Sequence, residues 1–543
     1  MTRHRTDMTP PVDLSTEHGA GPLRQARPVF VDLLPPCNHA CPAGETIGTW
    51  LAFAQAGDDR AAWEALLRDN PLPAVHGRVC YHPCESACNR AALDAPVSIH
   101  AIERYLGDLA IAEGWTPAID APPSGRRVLV VGAGPSGLSA AYHLTRRGHA
   151  VEILEAGPLP GGMLHFGIPA YRLPRDVLAA EVARIVRMGV TIHCNRKVSD
   201  LAAAMRDGGF DAAFVAAGAH VSRHADIPVR EAARVLNAVT YLHDVSSGTP
   251  PSLGRRVVIY GGGNTAMDAA RTARRLGAEE TLIVYRRDRE HMPAHGFEAD
   301  EAIEEGVKIR WLTTIKDFDA TSLTVERMRL VDGRPEPTGE FDTLEADAVI
   351  LALGQDTDSA FLRAMPGIAF KPDGTVIVGP DMMTGAPGIF AGGDMVPSER
   401  TVTIATGHGK KAARHIDAWL RATPSESPAR HPVVTWPMLN LPMFSDADPA
   451  AQSMLQGPAR TEGFGEIMAG LSAAEARREA QRCLSCGNCF ECDNCIAACP
   501  EQAIIKLGPG MRYRTDYDKC TGCAVCHDQC PCHAIEMVAE ATS

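Results

Sequence analysis

Hydrophobic and polar positions follow two different periods along this chain of 543 residues. Residues 31–115 have the spacing of amphipathic helices, as in DDRAAWEALLRDN and SIHAIERYLGDLAIAEG, which predicts a small helical domain. From residue 126 to 418, short apolar runs typical of buried strands alternate with helices, which predicts parallel, doubly wound sheets. Residues 1–30 lack a period, and residues 419–470 include a stretch rich in Pro, Ser and Asp, so we predict a mobile tail and a surface linker. A helix, SAAEARREAQR, opens a last domain over residues 471–543.

The charge balance limits the kinds of partner. Lys and Arg number 53 and Asp and Glu 66, a net charge of −13, which argues against a general nucleic-acid or anionic-membrane binder. No apolar run reaches the length of about 18 residues that a membrane span requires, and the first residues lack the apolar core of a signal peptide. We therefore expect a cytoplasmic protein that binds neither nucleic acid nor membrane.

The 17 cysteines are concentrated in two regions. Five lie between Cys37 and Cys88, eleven lie between Cys483 and Cys532, and Cys194 stands alone in the middle. In a reducing compartment, clustered thiols indicate metal ligands before they indicate disulfides. The distribution therefore predicts metal sites near both ends of the chain.

A glycine fingerprint, GAGPSG, follows the apolar strand at residues 128–131 and begins a helix. Gly132 makes the tight turn, Gly134 lets the backbone approach a pyrophosphate, and Gly137 lets helix and strand pack closely. The next strand ends at Glu155, where a carboxylate can bind ribose hydroxyls. Because the glycines are accompanied by a strand, a helix and a distal acid, we predict a dinucleotide site at the helix N-terminus. A tight turn without a ligand is the alternative for the glycines alone.

A second fingerprint follows the strand at residues 257–260, and its candidate binding residues are Gly261, Gly263, Asn264 and Thr265. The strand TLIVY after it ends in Arg286 and Arg287 instead of an acid. Arginine pairs with a 2′-phosphate, whereas an acid would bind a free 2′-hydroxyl, so we predict NADP in preference to NAD. A solvated pair of charges is the alternative for these arginines.

Two such sites in tandem indicate a flavoprotein that takes hydride from a nicotinamide, with FAD at the first site. The segment GIFAGGD supplies Gly393 and Asp394, and Asp394 can hold the ribityl chain of the flavin, although a turn or helix-cap role is the alternative. Hydride transfer requires no general acid or base, so we predict no catalytic side chain. Cys194 has no CxxC partner, which disfavours a disulfide reductase.

The C-terminal cysteines form a duplicated pattern, C-x2-C-x2-C-x3-C-P, repeated after 31 residues. This is the pattern of ferredoxins with two [4Fe-4S] clusters, in which the fourth cysteine of each repeat ligates the other cluster. We predict one cluster on Cys489, Cys492, Cys495 and Cys530, and a second on Cys520, Cys523, Cys526 and Cys499. Zinc is the alternative, but it ordinarily uses two CxxC pairs with a longer gap.

The N-terminal cysteines alone indicate only a metal or cluster site with distant ligands. From Cys37 to Lys411, however, the chain resembles the small subunit of bacterial glutamate synthase and the N-terminal half of dihydropyrimidine dehydrogenase. The resemblance rests on CPAG, GRVCYHPCESAC, VSIHAIE, VGAGPSGLSAAYHL, GGMLHFGIPAYRLP, GGGNTAMDAAR, YRR with MPA, and AGGD. It implies a [4Fe-4S] cluster on Cys41, Cys80, Cys84 and Glu103, and cofactor-binding roles for Gly162 and Arg172. A solvated helix residue is the alternative for Glu103.

The family's other N-terminal cluster uses Cys37, Cys88 and a CxxC pair just upstream of Cys37. Here VDLLPP occupies that place, but a CxxC pair, Cys483 and Cys486, occurs in EAQRCLSCG near the other end of the chain. We hypothesise that this pair folds back beside Cys37 and Cys88 to complete a bridging cluster. The alternative is that it merely extends the ferredoxin domain.

Taken together, these patterns predict an α/β protein with tandem Rossmann-like FAD and NAD(P) domains of the glutathione-reductase kind. The FAD domain would comprise residues 126–245 and 346–418, with the NAD(P) domain inserted at 246–345. A helical Fe-S domain would precede them, and a ferredoxin-like α+β domain would follow.

The expected activity is electron transfer between NAD(P)H and ferredoxin or a ferredoxin-coupled partner subunit, for example a 2-oxoacid oxidoreductase, in a hetero-complex. Alternatives are the NADPH-supplying subunit of a glutamate-synthase-like complex, a subunit of an electron-bifurcating transhydrogenase, and an electron relay with degenerate nucleotide sites.

Overall fold

The computed structural model describes residues 24–119, 121–222, 234–319, 321–425, 431–508 and 510–540. Of the predicted tail, residues 1–23 lie outside this range. Strand β1 (Ala26–Phe30) pairs antiparallel with the last strand of the chain, Ile535–Ala539. The prediction of a tail is therefore wrong for these residues, because the C-terminal strand satisfies their backbone hydrogen bonds.

The N-terminal domain is helical, as predicted. Its core contains Trp50 and Trp63, both fully buried, and the side chain of Asp58 caps one helix by accepting from the N–H of Ala61 at 3.0 Å. Its helices are α1 (Pro36–Ala40), α2 (Ile47–Ala56), α3 (Asp59–Leu66), α4 (Pro73–Val79), α5 (Pro83–Ser86) and α6 (Ile99–Ala112).

The next domain is built on a five-stranded parallel sheet, whose strands lie in the order β16 (Ile389–Ala391), β5 (Ala212–Val215), β2 (Arg127–Val131), β3 (Ala150–Leu154) and β4 (Thr191–His193). All four residues of β5 are buried, as expected for a strand covered by helices on both faces. The first segment of this domain contains β2 (Arg127–Val131), α7 (Pro135–Arg146), β3 (Ala150–Leu154), α8 (Met163–Phe166), α9 (Arg175–Arg187), β4 (Thr191–His193), α10 (Leu201–Gly208), β5 (Ala212–Val215) and β6 (Val221–Ser222).

The inserted domain has a second five-stranded parallel sheet, β10–β9–β8–β14–β7, and an antiparallel sheet, β11–β12–β13. Its elements are β7 (Val235–Asn237), α11 (Ala238–Ser246), β8 (Arg256–Tyr260), α12 (Asn264–Arg275), β9 (Glu280–Val284), α13 (Gly296–Glu304), β10 (Lys308–Arg310), β11 (Thr313–Phe318), β12 (Ser322–Val331), β13 (Arg334–Glu345) and β14 (Ala348–Leu351).

The predicted boundaries of this insertion, 246 and 345, are too narrow. Strands β7 and β14 were both assigned to the FAD domain, but both join the second sheet. Ala348 pairs with Val257 and Leu351 pairs with Tyr260, which places β14 between β8 and β7. The insertion therefore runs from β7 to β14.

The chain then returns to the first sheet through β15 (Gln355–Asp356), β16 (Ile389–Ala391) and the long helix α14 (Val402–Leu420). Helix α14 packs against α7, and the hydroxyl of Ser139 donates to the carbonyl of Thr406 at 2.8 Å. The N-terminal domain and this domain share one hydrophobic core. Within the described residues, every helix is too short or too polar to cross a bilayer.

The predicted surface linker is partly buried in the structure, apart from residues 426–430, which lie outside the described residues. Val434 and Leu439 are buried, and the N–H of Ile467 donates to the carbonyl of Tyr171 at 3.1 Å. Arg460 is buried and pairs with Glu305 of the inserted domain at 3.2 Å. The segment therefore ties the inserted domain to the rest of the protein, because its apolar and charged side chains both find partners.

The last part of the chain contains α15 (Ala473–Gln481) and then the C-terminal domain, with α16 (Asn494–Ala498), β17 (Ile504–Lys506), β18 (Tyr513–Thr515), α17 (Val525–Asp528) and β19 (Ile535–Ala539). Helix α15, which we assigned to this domain, packs on the N-terminal domain instead. Gln55 donates to the carbonyl of Ala480 at 2.9 Å, and the buried carboxylate of Glu479 accepts from the N–H of Ser98 at 2.8 Å. The boundary at residue 471 therefore lies too early.

Candidate functional site: two nucleotide folds and four cysteine groups

The first glycine fingerprint forms the turn between β2 and α7. Gly132 has φ +101°, and a Cβ there would lie 2.5 Å from the carbonyl oxygen of Ala216. A Cβ on Gly137 would lie 1.9 Å from the carbonyl oxygen of Gly132. Only glycine fits at either position, so strand and helix can pack as a dinucleotide fold requires.

The space in front of this turn is lined by groups that suit a flavin nucleotide. No heavy atom lies within 4 Å of a Cβ built on Gly134, at the start of α7, and Gly162 faces the same residue. The hydroxyl of Ser136 is buried and has no hydrogen-bond partner among the described residues. A helix N-terminus with open space and an unpartnered hydroxyl fits a pyrophosphate.

Two carboxylates flank this space. Glu155 accepts from the N–H groups of Ala133 and Gly157, each at 2.7 Å, so its side chain is fixed against the glycine turn. Asp394 follows Gly393 after β16, and burial raises the pKa of Asp394 to about 6. A buried carboxylate of this kind is suited to accept hydrogen bonds from a hydroxylated chain.

The second fingerprint has the same geometry between β8 and α12. The position of a Cβ on Gly263 is open, and Asn264 begins the helix, with Thr265 as its second residue. After β9, Arg286 is exposed and Arg287 is half-buried. Neither arginine has a carboxylate partner in the part of the chain that the structure describes. Both guanidinium groups therefore remain available for an anion.

Arg172 lies at the interface between the two nucleotide folds. Its guanidinium pairs with Asp268 of α12 at 2.9 Å and with Glu298 of α13. Both terminal nitrogens are thus used at the interface between the two nucleotide domains. In the structure Arg172 therefore holds that interface, and its cofactor-binding role stays a prediction.

The first N-terminal cysteine group lies between the helical domain and α14. Burial is the main cause that raises the pKa of Cys80 to about 12, and the nearby Glu103 and Glu45 contribute to the rise. Burial also raises the pKa of Cys84, with Cys80 and Cys41 among the neighbouring groups. The structure therefore brings Cys41, Cys80, Cys84 and Glu103 together, as the resemblance implied.

Glu45 is a buried acid at this group that sequence reasoning missed. The amide of Asn70 donates to Glu103 at 2.6 Å and to Glu45 at 3.1 Å, and Trp50 donates to Glu45 at 3.3 Å. Burial raises the pKa of Glu45 to about 7, with the nearby Asp69 adding to the rise. Glu45 lies four positions after Cys41, a spacing too common to stand out in a sequence.

The second N-terminal group combines residues from both ends of the chain. Cys37, Cys88, Cys483 and Cys486 line one cavity, and Ser485 donates to the sulfur of Cys483 at 3.4 Å. Burial, together with the neighbouring thiols, raises the pKa of Cys483 to about 12 and that of Cys486 to about 11. Four crowded thiols can ionise together only if a cation offsets their charge.

The ferredoxin-like cysteines form two groups, and each group combines three cysteines of one repeat with the fourth cysteine of the other. Burial and three neighbouring thiols, of Cys489, Cys492 and Cys530, raise the pKa of Cys495 to about 12. The second group, Cys499, Cys520, Cys523 and Cys526, lines a separate cavity. The sequence analysis proposed the same two groupings, and their role as cluster ligands stays a prediction. The buried Cys532, which lies outside that prediction, has its sulfur 3.8 Å from the sulfur of Cys530.

The fold and these groups define the class of protein as a flavin-dependent NAD(P)H oxidoreductase that contains iron-sulfur domains. The family model for pyridine nucleotide-disulphide oxidoreductases matches residues 126–409. The model for domain II of dihydropyrimidine dehydrogenase, with its 4Fe-4S cluster, matches residues 31–115, and a 4Fe-4S binding domain matches residues 513–536.

The chain belongs to the pyridine nucleotide-disulphide oxidoreductase family, in the branch fused to 4Fe-4S domains. FAD, NADP and [4Fe-4S] clusters are its cofactors, as the sequence predicted, and the predicted fold class and resemblance are confirmed. The protein transfers electrons between NAD(P)H and a separate acceptor or donor.

Three relatives illustrate the similarity. The beta subunit of NADP(+)-dependent formate dehydrogenase from Moorella thermoacetica is 34% identical, covering 83% of this chain and 70% of that protein. The beta subunit of NADPH-Fe(3+) oxidoreductase from Geobacter sulfurreducens is 33% identical, covering 83% and 75%. The PreT subunit of NAD-dependent dihydropyrimidine dehydrogenase from Escherichia coli is 35% identical, covering 71% and 91%.

Proposed function

We propose that this chain is the electron-transfer subunit of a cytoplasmic hetero-complex that exchanges electrons between NADP(H) and a one-electron partner. The observation that carries the proposal is the set of four cysteine groups, which begins at α14 beside the flavin fold and ends in the ferredoxin-like domain. Thiolate-ligated clusters suit a reducing compartment, which supports the cytoplasmic location.

Each group has a donor set suited to one [4Fe-4S] cluster. The proposed ligands are Cys41, Cys80, Cys84 and Glu103; Cys37, Cys88, Cys483 and Cys486; Cys489, Cys492, Cys495 and Cys530; and Cys499, Cys520, Cys523 and Cys526. The second set is supported by the shared cavity and by the mutual rise in thiol pKa.

When bound, FAD supplies the step between hydride chemistry and single electrons. The side chains of this chain position that cofactor. Glu155, which is fixed against the glycine turn, would bind the ribose, Ser136 and Gly134 would hold the pyrophosphate, and Asp394 would accept from the ribityl hydroxyls. At the second site, Arg286 and Arg287 bind the 2′-phosphate that distinguishes NADP from NAD.

The partner is ferredoxin or a ferredoxin-coupled catalytic subunit, for example a 2-oxoacid oxidoreductase. Cys492 and Cys523, one from each ferredoxin-like group, are exposed, so a partner can approach both clusters closely. Two of the relatives are named as beta subunits of larger enzymes, which supports a hetero-complex.

The test is an anaerobic titration of the purified protein, reconstituted with FAD and iron, with NADPH and separately with NADH. We expect NADPH to bleach the flavin absorbance and then the broad cluster absorbance, with NADH less effective. Failure of both nucleotides to bleach the protein would contradict the proposed function. Equal bleaching by both would contradict the roles of Arg286 and Arg287 but leave electron transfer intact.

A further inference from the structure

One side chain of the N-terminal domain reaches into the NADP fold. Tyr81 follows Cys80 directly, and its hydroxyl accepts from the side-chain amide of Asn264 at 2.6 Å. Its ring stacks on the imidazole of His295, with centroids 3.6 Å apart and planes 16° apart. The contact joins residues 183 positions apart in the sequence, and it begins on the loop that holds two of the proposed cluster ligands.

The contact falls on the first residue of α12, where a pyrophosphate binds in this fold. The side-chain oxygen of Asn264 accepts from the N–H of His295 at 3.0 Å, while its nitrogen donates to Tyr81. Both polar atoms of the Asn264 side chain are therefore hydrogen-bonded, and one of the two partners, Tyr81, belongs to the iron-sulfur domain. Arg172, with its partners Asp268 and Glu298, fixes the same interface beside it.

The other side of the same loop contacts the FAD fold. The hydroxyl of Thr403, in the first turn of α14, donates to the sulfur of Cys80 at 3.0 Å. Thr403 is buried, and α14 is the helix that packs against α7 at the first glycine fingerprint. Two consecutive residues thus contact both nucleotide folds: Cys80 contacts α14 of the FAD fold, and Tyr81 contacts α12 of the NADP fold.

We propose that Tyr81 is a positioning residue that couples occupation of the NADP site to the cluster on the Cys80 loop. The inference rests on the proposed function, because it takes NADP(H) as the ligand of the second site. Binding of a nucleotide beside Asn264 changes the contact with Tyr81, and the loop transmits the change to the Cys80 ligand. Coupling of this kind is reciprocal, so the redox state of the cluster changes the affinity for the nucleotide by the same factor.

The test compares the native protein with Tyr81→Phe, which keeps the ring stacking and loses the hydrogen bond. We expect the Kd for NADP+ to rise about three- to tenfold, the value of one net hydrogen bond. We also expect NADP+ to alter the EPR spectrum of the photoreduced native protein and to have little effect on the variant. Tyr81→Leu, which loses the stacking as well, should weaken NADP+ binding further.

Tyr105→Phe is the matched control, because it also removes one tyrosine hydroxyl from the N-terminal domain. The hydroxyl of Tyr105 donates to Asp59 at 2.8 Å within that domain and does not contact Asn264. This control should keep the native Kd and the native response, with equal FAD and iron contents in all variants. Native Kd and an unchanged EPR response in both Tyr81 variants would overturn this inference alone. A native protein that neither binds NADP+ nor is bleached by NADPH would contradict the proposed function, and this inference with it.

Discussion

The ferredoxin-like repeats and the N-terminal helical domain both gather cysteines, but over very different spans of sequence. In the repeats, each group draws its thiols from within 42 residues, between Cys489 and Cys530. In the N-terminal domain, Cys37 and Cys88 face Cys483 and Cys486, which lie between 395 and 449 positions later. The first kind of site is a property of one domain, whereas the second ties two ends of the chain together.

The difference has a consequence for stability. A self-contained site can lose a ligand without disturbing distant parts of the chain. The bridging group instead depends on α15 and its anchor to the N-terminal domain, through Glu479, Ser98 and Gln55. The predictions below separate these two behaviours.

The largest effect concerns the crossing of ligands between the repeats. Cys530→Ala should remove the cluster held by Cys489, Cys492 and Cys495, with a loss of about four irons per chain. Its EPR spectrum should therefore match that of Cys492→Ala. A spectrum that matches Cys523→Ala instead would mean that each repeat holds its own fourth ligand.

The second effect concerns the anchor of the bridging group. Glu479 is fully buried, pairs with Arg482, and accepts from the N–H groups of Ser98 and Ala450. Glu479→Ala removes one of the two carboxylate partners of Arg482, the other being Asp94 at 3.0 Å, and leaves the N–H groups of Ser98 and Ala450 without their acceptor. Each buried N–H left unpaired should lower the free energy of unfolding by about 1–3 kcal/mol. Thermal unfolding measures the change.

The control for this variant is Glu475→Gln, which removes a half-buried acid from the first turn of the same helix while an amide oxygen can still accept from Ser472. Its unfolding midpoint should remain much closer to that of the native protein. Equal destabilisation by the two substitutions would mean that α15 is not anchored through Glu479.

The third effect is the pH dependence of stability that arises from Glu305. This residue of the inserted domain pairs with Arg460 of the segment that ties the domain to the rest of the protein. Burial acts to raise the pKa of Glu305, but hydrogen bonds from Arg275 and Arg271 outweigh it and lower that pKa to about 2. Because the folded pKa lies below the unfolded value of 4.5, the stabilisation is complete above about pH 4.5 and is lost as the pH falls towards 2.

The shift corresponds to about 3 kcal/mol at neutral pH. Glu305→Gln should therefore lower stability at pH 7 and flatten the acid limb between pH 4.5 and 2 in urea unfolding at a series of pH values. An acid limb as steep as that of the native protein would show that Glu305 contributes nothing to it.

The smallest effect concerns the second nucleotide fold, where residues of one short loop are expected to distinguish NADPH from NADH. Arg287→Ala removes one charge-assisted contact, so the KM for NADPH should rise about tenfold or more while that for NADH stays close to native. Arg289→Ala is the control, because Arg289 is exposed on the same loop and pairs with Asp300. An equal rise for both nucleotides would place Arg287 outside the 2′-phosphate site.

Local patterns made much of this molecule predictable. The two glycine fingerprints, the duplicated cysteines and the helix α15 each lie within a short window, so spacing alone identifies them. Strand β14 was harder, because an apolar run such as AVIL suits either parallel sheet, and only its pairing with β8 decides between them. The insertion was predicted too short for that reason.

Contacts between distant residues left weaker signals. Tyr81 and Asn264 belong to different domains, and Asn70 joins Glu45 to Glu103 without any recurring spacing. Arg172 lies in a motif shared with the family, yet its position in the sequence does not show that two acids of the inserted domain pair with it. Such contacts depend on how the domains pack, which no local period encodes.

The central claim is that Cys483 and Cys486 complete a cluster with Cys37 and Cys88. The most direct test is the iron content of the anaerobically purified native protein beside the double variant Cys483→Ala/Cys486→Ala, with Cys194→Ala as control. We predict about sixteen irons per chain in the native protein and the control, and about twelve in the double variant. About twelve irons in the native protein, unchanged in the double variant, would contradict the claim.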